Sequence, residues 1–209
     1  MKTDATQSWL KFLNPVELKQ NLIRCSIFIA AWELLKESVI DPILWFYTDG
    51  FHGKTYIRPK YHQEVIDLDT REKKDVFHAS CLWLRKNNAI CDADIQMISY
   101  IRDHRNFVTH EMTKVLGAAG VEVNLGLLDN LIDILCKIDR WWIVEVEIPT
   151  NPDFTAEDME KVDRTKVFSM RMMTLQLIAM VAHGDDQSLM AIYEEFREKT
   201  RSTEQQAGG

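Results

Sequence analysis

The sequence predicts an all-α protein, an antiparallel helical bundle with additional C-terminal helices. Three observations carry that expectation. Cys25 to Leu35, CSIFIAAWELL, is apolar almost all round and holds one charge, Glu33, as suits a helix buried at the centre of a bundle. Ile95, Ile98, Ile101 and Val108 recur at helical spacing toward Leu116. Leu128, Leu131, Ile132, Leu135, Ile138 and Trp142 repeat the pattern on a further helix.

In chain order, Asn14-Pro15 reads as a helix start, with asparagine as N-cap and proline at the first helical position. The helix then runs toward Asp41-Pro42, where proline either kinks it or begins a short continuation from Ile43 to Tyr47. From Thr48 to about Asp69 the regular pattern is lost, with turn signals at Asp49-Gly50 and His52-Gly53. A helix is expected from Thr70 or Arg71 to Asn87. Asp92 or Asp94 caps the next, which should continue to Leu116 and stop at Gly117. Asn124 opens another amphipathic helix that ends at Trp141-Trp142.

Beyond it, IVEVEIPTNPDFT alternates and is then broken by Pro149 and Pro152, which places the main boundary there. Thr155 to Asp158 has the form of a capping box and should launch a helix to about Ala182. That helix carries Met159, Met170, Met172, Met173 and Met180, a stripe suited to adaptable packing. A last helix follows Gly184-Asp185 and ends near Lys199. The expected organisation is a helical core over residues 1–142, C-terminal helices over 143–200 packed on the same domain, and a disordered tail over 201–209.

Composition bounds the function. At 209 residues, with 46% hydrophobic and 27% charged residues, the chain can bury one substantial core. A net charge of −7 gives no global attraction for nucleic acid, so any RNA contact must be local. No apolar run approaches the ~18 residues of a membrane helix, and MKTDATQSW lacks the apolar segment of a signal peptide. A cytoplasmic protein without membrane contact is expected. Cys25, Cys81, Cys91 and Cys136 show no C-x-x-C spacing and read as reduced core thiols. No metal site or cofactor is expected, because His104 and His110 project about 120° apart on one helix.

The densest chemistry lies in Ile101 to Glu111, IRDHRNFVTHE. As helix, this stretch sets Arg102, Asn106 and His110 at four-residue steps, drifting only about 40° per step, so they form one polar ridge. Arg105 falls about 60° to the other side of Arg102, among Ile98, Met112 and Leu116. A charge in that neighbourhood needs an anion, an interface or a carboxylate. Glu33 breaks its own apolar pattern. It reads either as the wet edge of a core helix or as the partner of Arg105 or Arg102. A second cluster, Phe51 to His62, carries Lys54, Arg58 and Lys60 with three aromatics and no acid. It suits a phosphate backbone and unpaired bases, and equally a loop held down by its aromatic side chains.

Arg105-Asn106-x-x-x-His110 resembles the Arg-x4–6-His signature of the HEPN superfamily, helical proteins that include metal-independent endoribonucleases. The resemblance spans roughly residues 14 to 142. It implies a HEPN-type bundle whose Arg105, Asn106 and His110 act on RNA, with Glu33 and Arg102 in support. Because each chain offers one well-placed histidine where the chemistry needs two proton-transfer groups, a homodimer interface is expected to complete the site. The implied chemistry is attack by the ribose 2′-hydroxyl, leaving a 2′,3′-cyclic phosphate, in a toxin or anti-phage effector controlled by an antitoxin or other partner protein. Met112 stands where some family toxins carry a modified tyrosine, which argues against control by that route. The alternative is a non-catalytic interaction or nucleotide-binding module of the same architecture.

Overall fold

A computed structural model describes residues 2–155, 157 and 161–207. Its helices are α1 (Lys2–Leu13), α2 (Pro15–Phe46), α3 (Tyr61–Glu64), α4 (Val76–Lys86), α5 (Asp92–His110), α6 (Met112–Gly117), α7 (Leu125–Trp142), α8 (Met170–His183) and α9 (Asp186–Ala207). The all-α class follows from them.

The 32-residue α2 is the central element, and α4, α5, α7 and α8 all pack on it. Asn14 caps it by accepting a hydrogen bond from the Val16 N–H at 3.1 Å, ahead of Pro15 at the first position. Pro42 removes the N–H that would reach the Ser38 carbonyl, yet the helix runs unbroken through it. Val39 and Ile43, both fully buried, hold that turn in the core from either side of the proline.

Helix directions follow from side-chain pairs. Phe28 of α2 meets His104 of α5, and Glu33 meets Arg105. Asp94 and His104 of α5 pair with Lys137 and Asn124 at opposite ends of α7, so α5 and α7 are antiparallel. The carboxyl ends of α2, α4 and α7 meet where Phe46, Trp83 and Trp142 cluster. Hence α2, α4 and α7 run one way and α5 the other. Helix α8 also opposes α2, with Arg171 at Ser38 and the Ala182 carbonyl accepting from Arg24.

Several sequence expectations need correction. The segment after Phe46 holds a small antiparallel hairpin, β1 (Gly50–His52) and β2 (Thr55–Ile57), with Gly50 opposite Ile57. Gly53, with φ +64°, takes the first central position of its two-residue turn, where a side chain would be strained. Helix α1 was not anticipated. Its Lys11 reaches the Ala118 carbonyl at 3.1 Å, and Ser8 accepts from the Ala119 N–H, anchoring α1 across α6.

The helix expected to end at Trp141-Trp142 does not stop there. The coil continues as a π-helical turn over Ile143–Glu147 and a last turn over Ile148–Thr150, ending at Asn151 just before Pro152. The Met-rich helix does not run unbroken from Thr155 to Ala182: residues 162–169 are not helical, and α8 starts afresh after the Ser169 N-cap. Asp163 accepts from Thr165 in a preceding turn, and Ser169 caps α8 at the Met172 N–H. Asp158 and Met159 lie outside the described residues. Helix α9 passes the expected end near Lys199 and continues to Ala207, where a disordered tail was expected, supported by Glu195–Lys199 and Glu194–Arg197 pairs. Among the described residues, no helix is long and apolar enough to cross a membrane.

Candidate functional site

Helix α5 forms because Asp94 closes its first turn, accepting from the Cys91 N–H at 2.7 Å, while Ile98, Ile101 and Val108 are buried. Its end differs from expectation. The backbone leaves the helical region at Glu111, φ −117° and ψ 26°, so α5 and α6 are separate and His110 is the last residue of α5.

Arg105 donates from Nη2 to Glu33 Oε1 at 2.8 Å, the pairing that the two broken apolar patterns imply. Its Nη1 lies 3.4 Å from Asn106 Oδ1, a long contact, and its Nε is buried without a partner. Only 27% of the Arg105 side chain is exposed. The guanidinium is therefore fixed in direction. Glu33 is shared with Lys36 at 3.7 Å and is itself half exposed, so the ion pair is worth about 0.2–1 kcal/mol. Glu33→Ala is expected to cost more, roughly 1–2 kcal/mol, because it leaves two guanidinium nitrogens unpartnered near the core. Urea unfolding at neutral pH measures this, and Glu33→Gln, which keeps an acceptor, should recover part of the loss.

His110 and Asn106 are exposed. Among the described residues His110 makes no hydrogen bond, ion pair or ring contact. Arg102 does not join this group. It lies 3.7 Å from Asp75, whose carboxylate caps α4 at the Phe77 and His78 N–H groups. Asp75 is bound in turn to buried Asp69, which accepts from Asp75 N–H and from the Arg71 backbone and guanidinium. Hydrogen bonds from Arg71 hold the Asp69 carboxyl far below the usual carboxylate range. Arg102 thus supports the α4–α5 junction.

Lys54, Arg58 and Lys60 stand apart from the ridge. Arg58 Nε donates to the Leu44 carbonyl at 3.1 Å and to Thr48 Oγ1 at 2.9 Å, with its guanidinium 4.9 Å from the Tyr56 ring centre. It closes the end of α2. Leu44 is eleven residues beyond Glu33, about 16 Å along the helix. Lys54, in the hairpin turn, and Lys60 are exposed.

His104 is a structural residue. Its Nε2 accepts from the Asn124 N–H at 2.9 Å, at the start of α7, and its ring meets Phe28 edge-on. That bond requires an unprotonated Nε2, and burial lowers the His104 pKa. A histidine depressed in the folded state gives stability that is complete above its unfolded pKa of about 6.5 and is lost as pH falls through the folded value. Burial lowers His78 too, adding the same sign. Denaturant midpoints should therefore fall between pH 7.5 and 5.5, and His104→Gln should flatten part of that slope.

Burial pushes the Cys81 thiol up to about 12 and raises Cys25 and Cys136, so these are unreactive. Cys91 is the correction to the core-thiol reading. It is exposed, because its position is the N-cap of α5 and its backbone leads into the helix from solvent. Among the described residues, no group of three or more His, Cys, Asp or Glu side chains is arranged to hold a metal ion.

Among the described residues, the clefts between α7 and α8, where α2 meets α7 and α8, and along α1 are not lined by Arg105, Asn106 or His110. The ridge is open in a single chain. Comparison with family models, with curated proteins and with solved structures finds no match to this chain.

Proposed function

We propose that the protein is a metal-independent endoribonuclease whose active site is completed by a second copy of the chain. The observation that carries this reading is the arrangement at the end of α5. Arg105 is aimed by Glu33 toward Asn106, and His110 stands exposed without a partner among the described residues. Internal transfer at an RNA phosphodiester needs a base for the 2′-hydroxyl proton and an acid for the departing 5′-oxygen. His110 takes the proton while the 2′-oxygen bonds to phosphorus and the bond from phosphorus to the 5′-oxygen breaks. The partner subunit's His110 protonates that oxygen. Arg105 holds the charge that develops on the phosphoryl oxygens, and Asn106 positions the phosphate.

The dimer follows from counting. One chain offers one suitable histidine on an open surface, and a two-fold axis beside the ridge supplies the second and closes the site. A toxin or anti-phage effector governed by an antitoxin or regulatory partner is the setting the motif resemblance suggests, with a cytoplasmic location. Purified protein incubated with total RNA in EDTA should leave cyclic phosphate ends and spare the corresponding DNA. A protein that stays monomeric in solution, or a cleavage pattern unchanged by His110→Ala, overturns the mechanism.

One observation favours a second reading, a helical interaction or nucleotide-binding module. Arg105 is already neutralised by Glu33. A folded dimer that binds RNA without cutting it would support the module.

A further inference from the structure

Where α2, α7 and α8 meet, two adjoining clefts of about 310 and 280 Å³ share Pro42, Trp45 and Arg171 in their walls. Trp45 and Phe46 are 59% and 53% exposed there, a large aromatic area to leave in water at the edge of a well-packed core. Behind them stands Trp142. It is only 7% exposed, it lines the larger cleft, and its indole N–H has no hydrogen-bond partner. The cleft thus has a rigid aromatic floor, with Trp142 stacked on Trp83.

The charges are lopsided. Glu37 and Asp41 line the smaller cleft, Asp139 and Glu147 the larger, against one cation, Arg171. Arg171 is occupied, with Nη1 at 3.0 Å from Ser38 Oγ and 3.6 Å from Asp139. Asp139 also accepts from Ser169. Glu37, Asp41 and Glu147 make no side-chain hydrogen bond or ion pair among the described residues. Unpaired carboxylates around an exposed indole attract a cation twice over, through their own charge and through the negative face of the ring.

The geometry points to a binding site for an organic cation, a guanidinium or alkylammonium group seated on Trp45 between Glu37, Asp41 and Glu147. This site lies beyond the ribonuclease reading and does not depend on it. The same chemistry comes from two sources, a free polyamine or a basic side chain of a partner polypeptide.

Calorimetric titration of the intact protein at physiological ionic strength tests the site with three probes. N-acetyl-arginine amide carries the cation as a basic side chain, spermidine carries it as a free polyamine, and N-acetyl-citrulline amide is the neutral isostere of the first. Saturable binding of a cation with no binding of the citrulline compound is expected. The tighter of the two cations identifies the source. Trp45→Ala should weaken binding by about tenfold, the loss of one cation–π contact. The double substitution Glu37→Gln with Glu147→Gln should weaken it at least as much at an unchanged melting temperature. These glutamates are exposed, so the double variant carries the test even if Trp45→Ala unsettles the fold. Absence of saturable binding by both cations, equal binding of the citrulline compound, or affinity unchanged in the glutamine variant overturns the proposal.

Discussion

His110→Ala is expected to lower RNA cleavage by about 10²- to 10⁴-fold, the range for loss of a positioned proton-transfer group. Its melting temperature should stay that of the wild type, since His110 is exposed and makes no side-chain contact of its own among the described residues. The two readouts separate chemistry from folding. Arg105→Lys makes the complementary case, retaining the charge while losing the planar fork that reaches Glu33 and Asn106 together. If two histidines serve each phosphodiester, mixed dimers with one wild-type and one His110→Ala protomer should be as inactive as the variant itself. Mixed dimers that keep half the activity would rule out a composite site.

The largest expected effect on stability comes from Phe28→Ala. Phe28 is fully buried on α2, and its ring packs against His104, which in turn receives the Asn124 N–H. Truncation should cost about 3–5 kcal/mol through lost transfer energy and the cavity left in the core. Chemical denaturation measures it. Because Glu33 lies five residues further along α2, a loosened α2–α5 contact should also free Arg105, so residual activity should fall more than unfolding alone explains. Phe28→Leu, which fills most of the space, should recover much of both losses.

The Glu33–Arg105 pair was legible in the sequence because a charge inside an apolar stripe must be compensated, and only a few carboxylates are placed to do it. The all-α class was legible for a similar reason, since long stripes at helical spacing leave little choice. The end of α5 was not. No glycine or proline stands at Glu111, so no local pattern marks the break there. Helix α1 escaped notice because Trp9, Leu10, Phe12 and Leu13 have no long polar-apolar rhythm around them, and its placement rests on contacts with residues 117–121, far along the chain. Arg102 was assigned to the ridge by angle alone, whereas Asp75, distant in sequence, draws it toward α4. The aromatic cleft has no sequence signature at all, because its walls come from three helices.

The central place of α2 also sets a schedule for synthesis. Its apolar surface emerges early, but the side that α7 covers stays bare until Trp142 has been added, about a hundred residues after Phe46. At roughly 5–20 residues per second that interval lasts about 5–20 seconds. Throughout it, the nascent chain presents a 32-residue helix rich in isoleucine, leucine and tryptophan with only part of its cover. The order of elements therefore predicts that a truncation before α7 aggregates rather than folds.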